Sequence, residues 1–274
     1  MPESRVRVGT VMTWTSEGAS SALLQIRVAE ADDQRLLDET LVGDGVREEE
    51  GPTGGLGTRP VRIHAEDGPI ALRYAAGVLV DGAARVCPRD DQPLPGPEDL
   101  AFDLLPWTLP SRYCPSDALG PTAEATFGEL PRTRSLIPAV ADWVRESITY
   151  QPGASDHLTM ADQTLLARQG VCRDMAHLAV SFLRALEIPA RVVAAYAPRL
   201  EPPDFHALLE AHDGTAWRII DVTGLAPVET LVRIATGRDA ADVAWASSSG
   251  PLQLDDVEVT AVEEPAFAEG AAAP

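Results

Sequence analysis

Cys172 follows Gly170-Val171 and opens a stretch with helical periodicity. A thiol at a helix start faces unpaired backbone N–H groups and the positive end of the macrodipole. Both favour a thiolate, and the same N–H groups can hold an oxyanion. His206 lies in the alternating run Phe205–Ala211, sharing a face with Leu208 and Glu210. Asp221 lies in the apolar run Trp217–Val222, where a carboxylate needs a partner because burying it alone is costly. Between these runs, Asp213-Gly214 is a hairpin signal. Antiparallel pairing centred on that dipeptide predicts His206 directly opposite Asp221, with Cβ atoms ~4.5–5.5 Å apart. A helix-borne thiol beside a histidine oriented by an aspartate is machinery for nucleophilic acyl transfer.

The elements that must position these groups follow from periodicity. The first ~85 residues read as β structure, with runs at Val6–Trp14, Ala22–Ala29, Arg35–Leu41, Arg59–His64, Ile70–Tyr74 and Gly77–Val80 broken by Gly, Asp and Glu clusters. The prolines between Pro88 and Pro121 predict an extended connector. Apolar stripes at helical spacing follow from Ile137 to Ile148 and from Cys172 to Glu187, with a further helix over Ala161–Gln169. Then the period changes to two over Arg191–Tyr196, Phe205–Ala211 and Ala216–Val222. The expected fold is α+β: an N-terminal antiparallel β domain (1–86), a Pro-rich connector (87–122), a papain-like catalytic core (123–262) and a frayed tail (263–274).

Composition narrows the chemistry. The chain has 274 residues, 42 acidic and 22 basic, for a net charge of −20. That field and the lack of a clustered basic face disfavour nucleic acid. No apolar run reaches the ~18–20 residues of a membrane span, and the start MPESRVRVGT has no apolar leader core, so a cytoplasmic location is expected and no membrane partner. Lys and Asn are absent, so every base is Arg. A Schiff-base lysine, a P-loop lysine, a Ser-Lys dyad and a Cys-His-Asn triad are therefore all excluded. Cys87, Cys114 and Cys172 are too scattered for a disulfide framework or zinc cluster, and neither a metal nor a cofactor is expected.

Other residues that could do chemistry read as structural. His177, five positions along the same helix, points about 140° away from Cys172. Asp174 suits a helix N-terminus regardless of function. His64, His157 and His212 fall in surface contexts, Cys87 and Cys114 in the connector, and Asp32-Asp33, Asp90-Asp91, Asp255-Asp256 and Glu48–Glu50 in solvated loops. Tyr113 and Tyr150 are candidates to line the cleft.

The blocks Gly170-Val171-Cys172-Arg173-Asp174-Met175-Ala176-His177-Leu178, Ile188-Pro189-Ala190-Arg191, Asp204-Phe205-His206-Ala207 and Trp217-Arg218-Ile219-Ile220-Asp221-Val222-Thr223 resemble, in order, the bacterial transglutaminase-like superfamily. Ile234–Val243 continues the resemblance. Gly57-Thr58-Arg59-Pro60, Leu72-Arg73-Tyr74 and Leu109–Tyr113 resemble the β domain and connector of one branch. The resemblance implies Cys172 as nucleophile, His206 as general base and acid, and Asp221 as the residue fixing the imidazole tautomer. Leu208 stands where that family commonly has Trp, and Val222 where Pro is usual. Since Leu208 gives no sign of an amine tunnel, hydrolysis of a peptide or amide through a Cys172 thioester is the first expectation. The substrate would be a peptide, a protein or a small amide or thioester. Transfer to an amine, or cyclisation of a small or carrier-bound substrate, is the second expectation, and a non-catalytic binding module the third.

Overall fold

The structure, a computed structural model, describes residues 3–83 and 85–264. The chain begins with β1 (Ser4–Ser16), β2 (Ser20–Leu24), β3 (Gln34–Asp44), β4 (Val46–Glu50), β5 (Val61–Ala65) and β6 (Gly68–Val80). A connector, turned by short 3-10 helices at Pro97–Asp99 and Leu105–Thr108 rather than extended throughout as expected, leads to α1 (Ser116–Phe127), α2 (Leu136–Ser147), β7 (Thr149–Tyr150), α3 (Ala161–Ala167), β8 (Gln169–Gly170) and α4 (Cys172–Ala185). Then come β9 (Ala190–Tyr196), β10 (Phe205–His212), β11 (Trp217–Ile220), β12 (Val232–Gly237), α5 (Ala240–Val243), β13 (Ala246–Ser249) and β14 (Leu252–Glu264).

Two four-stranded antiparallel sheets, ordered β14-β1-β6-β3 and β13-β2-β5-β4, make up the N-terminal unit. Alternation along β1 and β6 turns Val6, Val8, Met12, Leu72 and Ala76 inward, where they join Leu24, Val61 and Ile63 in one core. The last strands return from the far end of the chain: β13 pairs with β2, and β14 pairs with β1 along its whole length. Residues 246–264 therefore complete the first unit rather than the catalytic core. The expected boundary at 262 falls inside β14, where Arg5 faces Glu264. Residues 265–274 of the expected tail lie outside the described residues.

Other expectations shift for identifiable reasons. β4, read as a solvated Glu run, is an edge strand whose Glu49 and Glu50 face Arg62, His64 and Arg27. Charge on an edge strand opposes pairing with another chain, and it hides the strand from hydropathy. Asp255 and Asp256 likewise lie on β14, the edge strand of the other sheet. Helix α1 starts at Ser116, ahead of Pro121, which lies inside it, so the connector ends earlier than 122.

The second unit is a four-stranded antiparallel sheet, β11-β10-β9-β12, with α4 packed on β9 and β10. Helix α4 is buried nearly all round because α1, α2 and α3 cover its other sides. Met175, Leu178, Phe182 and Leu183 are each at most 2% exposed. Each such burial contributes about 1.5–3 kcal/mol. Phe182 also meets Phe127 and Trp143 edge-on.

Two contacts bind the units into one core. Tyr196 on β9 donates to the Ile26 carbonyl at 2.7 Å and stacks on Tyr74. Behind it, Arg233 on β12 donates to Asp33 at 2.7 Å and to Glu210, while Arg85 donates to Asp33 at 2.7 Å and Arg191 to Glu210 at 2.6 Å. Arg85 and Glu210 are almost fully buried, so this network fixes how the β unit sits on the catalytic sheet.

Candidate active site

Cys172 occupies the first turn of α4 because the chain before it is held extended and bare. Tyr150 and Gly170 face each other in the short parallel pair β7–β8, and the Gln151 N–H donates to the Gly170 carbonyl at 2.8 Å. Val171 is extended, and its N–H donates to the Asp174 carboxylate at 2.9 Å. Asp174 is fully buried and also takes Arg173 at 2.7 Å and the Ser155 hydroxyl. A Cβ on Gly170 would lie 2.8 Å from the Asp174 Cβ, so glycine is required there. The helix-start acid is thus a clamp that sets the turn carrying Cys172 and pins the 151–160 loop.

His206 and Asp221 meet, though not as directly opposed partners. The hairpin pairs Leu209 with Ile220 and His212 with Trp217, so its register is displaced by two residues from the expected one. The loop is Asp213–Ala216, closed by Asp213, whose Oδ1 accepts from the N–H groups of Thr215 and Ala216 at 2.8 and 2.9 Å. An even displacement keeps every side chain on its face. Asp221, just past the end of β11, still reaches His206 Nε2 with its Oδ1 at 3.1 Å, on a diagonal.

Asp221 is held from both sides. Its Oδ1 accepts from the Thr223 N–H at 2.9 Å and the Thr223 hydroxyl at 2.7 Å, and its Oδ2 from the Ala226 N–H at 2.8 Å. Burial works to raise its pKa, but the His206 hydrogen bond and charge, then Thr223 and Ala226, win and hold it below the ordinary carboxylate value. Burial likewise works to lower the His206 pKa, but Asp221 and Cys172 outweigh it and raise the imidazole to about 10. Both shifts favour an ion pair. With Nε2 on Asp221, the buried Nδ1 has no hydrogen-bond partner in place, and Cys172 lines the same cleft as the ring. The structure therefore brings Cys172, His206 and Asp221 together in that order.

A cleft of about 200 Å³ opens beside the thiol, lined by Cys172, His206, Asp204, Phe205, Val243 and Trp245 among others. Trp245 stacks on Phe205 with ring centroids 5.5 Å apart. Sequence reasoning missed Trp245 and α5 as walls of the cleft, because nothing local says that the chain after β12 folds back over it, and it did not single out Asp204 within the block that holds His206. Thr223 was also missed, although an Asp two residues before a Thr at a strand end is a recognisable turn signal. Leu208 is fully buried among Val193, Ala195 and Ile219 on the sheet, away from the cleft, so its identity does not report on the acyl acceptor.

The residues read as structural are placed elsewhere. His177 is buried, stacks on Tyr113 at 5.3 Å and accepts from the Ala240 N–H at 3.1 Å; burial lowers its pKa to about 4. It holds the α5 wall of the cleft and stays neutral. Burial pushes both the Cys87 and Cys114 thiols up to about 12, and neither lines the cleft. His157 is exposed, and His64 lies beside Glu49. His212 meets Trp217 edge-on.

Comparison with known proteins agrees with this geometry. The transglutaminase-like superfamily matches residues 122–222, which contain Cys172, His206 and Asp221. The crystal structure of a candidate cysteine protease from Cytophaga hutchinsonii superposes with a TM-score of 0.89 and 33% identity, covering 97% of this chain and 93% of that one. An uncharacterised protein of Mycobacterium leprae is 28% identical over 164 residues, 55% of this chain and 59% of that protein. A Mycobacterium bovis protein is 30% identical over 146 residues, 47% of this chain and 46% of that one. The chain thus spans about half the length of these two mycobacterial relatives. A helix-borne thiol, a histidine and an aspartate in this order, and a likeness running nearly end to end along a solved relative, have one common explanation: the chain belongs to the transglutaminase-like superfamily, with the fold of a cysteine enzyme.

Proposed function

We propose that the protein is a thiol hydrolase that cleaves a peptide or amide bond through a thioester on Cys172. The observation that carries this reading is the buried His206, with Asp221 on Nε2 and Cys172 in the same cleft. In the resting state His206 is imidazolium. The thiolate attacks the acyl carbon, and backbone N–H groups at the start of α4 stabilise the oxyanion. The leaving amine takes its proton from Nδ1. His206 then removes a proton from water as the water attacks the thioester, which restores the imidazolium as the thiolate departs. Asp221 holds the ring in the orientation and tautomer that both steps need.

Water as acceptor is supported by the exposure of Asp204, which lines the cleft, and by the Cytophaga relative's description as a candidate protease. The three free thiols are consistent with a reducing compartment, which we propose to be the cytoplasm. Two measurements test the reading. Iodoacetamide should alkylate Cys172 faster than a model thiol near neutral pH, while Cys87 and Cys114 stay protected; equal rates would refute an activated nucleophile. A labelled acyl donor incubated with an added primary amine should give mainly the free acid. Amide in excess would make the protein a transferase.

A further inference from the structure

We propose that the cleft beside Cys172 takes an acyl residue with a long basic side chain, lysine or arginine, and that Asp204 holds its cationic head. The inference rests on the thiol-enzyme reading above and names the substrate class of that same site. It starts from the size and lining of the cleft. Its volume of about 200 Å³ lies below the ~300–1,000 Å³ of a site for a drug-sized ligand, so a single side chain fills it. Val192, Ala194, Val243 and Trp245 give it apolar walls, and Asp204 is the one carboxylate among them. An apolar wall ending in one anion matches a side chain with an apolar stem and a cationic tip. The acyl residue is the part of the substrate that stays tethered to Cys172 through the thioester, so the cleft is assigned to it.

The charges at the cleft point the same way. Arg173 also lines it, but its guanidinium is committed to the Asp174 carboxylate at 2.7 Å and to the Asp156 carbonyl at 2.6 Å. Asp204 is different. Its side chain is exposed, and its Oδ1 accepts from the Phe205 N–H at 2.7 Å. Among the described residues, no arginine or histidine forms an ion pair with it. The surrounding protein raises its pKa by more than the Phe205 N–H and the His206 charge lower it, as for a carboxylate that lacks a bonded cation. An ammonium or guanidinium at the end of an aliphatic stem supplies that cation. The net charge of −20 adds a field that draws basic substrates and repels acidic ones.

The test compares the p-nitrophenyl esters of Nα-acetyl-lysine and Nα-acetyl-norleucine, which share an aliphatic stem and differ in the ammonium. In wild type, kcat/KM should favour the lysine ester on the order of tenfold. Raising the salt to ~1 M should shrink that preference, because an exposed pair is screened. In Asp204→Asn the ratio should fall to within about twofold. Both esters meet the same thiol, so any change common to the two leaves the ratio untouched. Asp204→Arg should invert the preference, favouring the Nα-acetyl-glutamate ester over the lysine ester. A lysine preference that survives in Asp204→Asn would overturn the proposal. Should the variants fail to fold, protection in wild type decides. Nα-acetyl-lysine amide should slow iodoacetamide alkylation of Cys172 at lower concentration than Nα-acetyl-norleucine amide, and equal protection would overturn the proposal. If wild type accepts both esters equally on Cys172, the thiol-enzyme reading stands and only this inference falls. If neither ester acylates Cys172, it is the thiol-enzyme reading that fails, and this inference fails with it.

Discussion

Replacing Asp221 with Asn probes the triad with the least change of shape. The Asp221 carboxylate is 6% exposed and accepts four hydrogen bonds, from His206, from the Thr223 N–H and hydroxyl, and from the Ala226 N–H. An amide cannot satisfy all four. With its NH2 toward Ala226, two donors face each other in a buried space, costing about 1–3 kcal/mol. With its NH2 toward His206, Nε2 must become an acceptor and the ring proton moves to Nδ1, facing the thiol and disabling the base. His206 stands at about 10 against an ordinary 6.5. At ~1.4 kcal/mol per unit, that is on the order of 5 kcal/mol favouring imidazolium, shared between Asp221 and Cys172. Losing the aspartate's share and the correct tautomer should lower kcat/KM by about 10³–10⁴-fold. The assay is kcat/KM against pH with an activated ester. Wild type should hold its activity until His206 deprotonates near pH 10. In the variant, the residual activity should decline at lower pH, toward the ordinary histidine value. Retention of activity within tenfold, with the alkaline limb still near pH 10, would refute the assignment of Asp221.

Three further outcomes follow from the same contacts. Gly170→Ala places a Cβ against the Asp174 carboxylate, and should destabilise the protein by about 1–3 kcal/mol in urea titration and slow acylation by misplacing Cys172. Asp33→Ala strands Arg85 and Arg233 in the buried network and should cost about 3–5 kcal/mol by the same titration. Burial opposes ionisation of Asp33, but the two arginines hold its pKa below the ordinary value; its contribution is present above about pH 4 and lost as pH falls further, so wild type should show an acid destabilisation that Asp33→Ala lacks. His206→Gln removes a group whose folded pKa is raised; the stability it contributes is full below about pH 6.5 and fades toward pH 10, so the gap between variant and wild type in thermal midpoint should close across that window.

The site was more legible in the sequence than the fold around it, and the reasons are physical. Cys172, His206 and Asp221 are carried by local patterns, a helix stripe and two alternating runs, and side-chain parity survives a register error of two residues. The error itself came from reading Asp213-Gly214 as the centre of a two-residue turn, whereas the Asp213 side chain closes a longer loop through Thr215 and Ala216. What stayed hidden depends on distant chain segments. β14 pairs with β1 across the whole sequence, and Trp245 and α5 reach the cleft only because β12 turns the chain back over α4. Asp174 looked like an ordinary helix-start acid until its burial against Gly170, Ser155 and Arg173 was visible. Leu208 was read as part of the acceptor pocket, but its side chain points into the small core beside the sheet.

The central claim is a thioester on Cys172, and the most direct measurement is to trap it. The protein is mixed with p-nitrophenyl acetate, quenched in acid during the burst, digested and mapped by mass spectrometry. The account predicts acetyl on the peptide containing Cys172, present in wild type, lost on hydroxylamine treatment and absent from Cys172→Ser. Turnover that continues with no acyl group on Cys172, or with acyl on Cys87 or Cys114 instead, would contradict it.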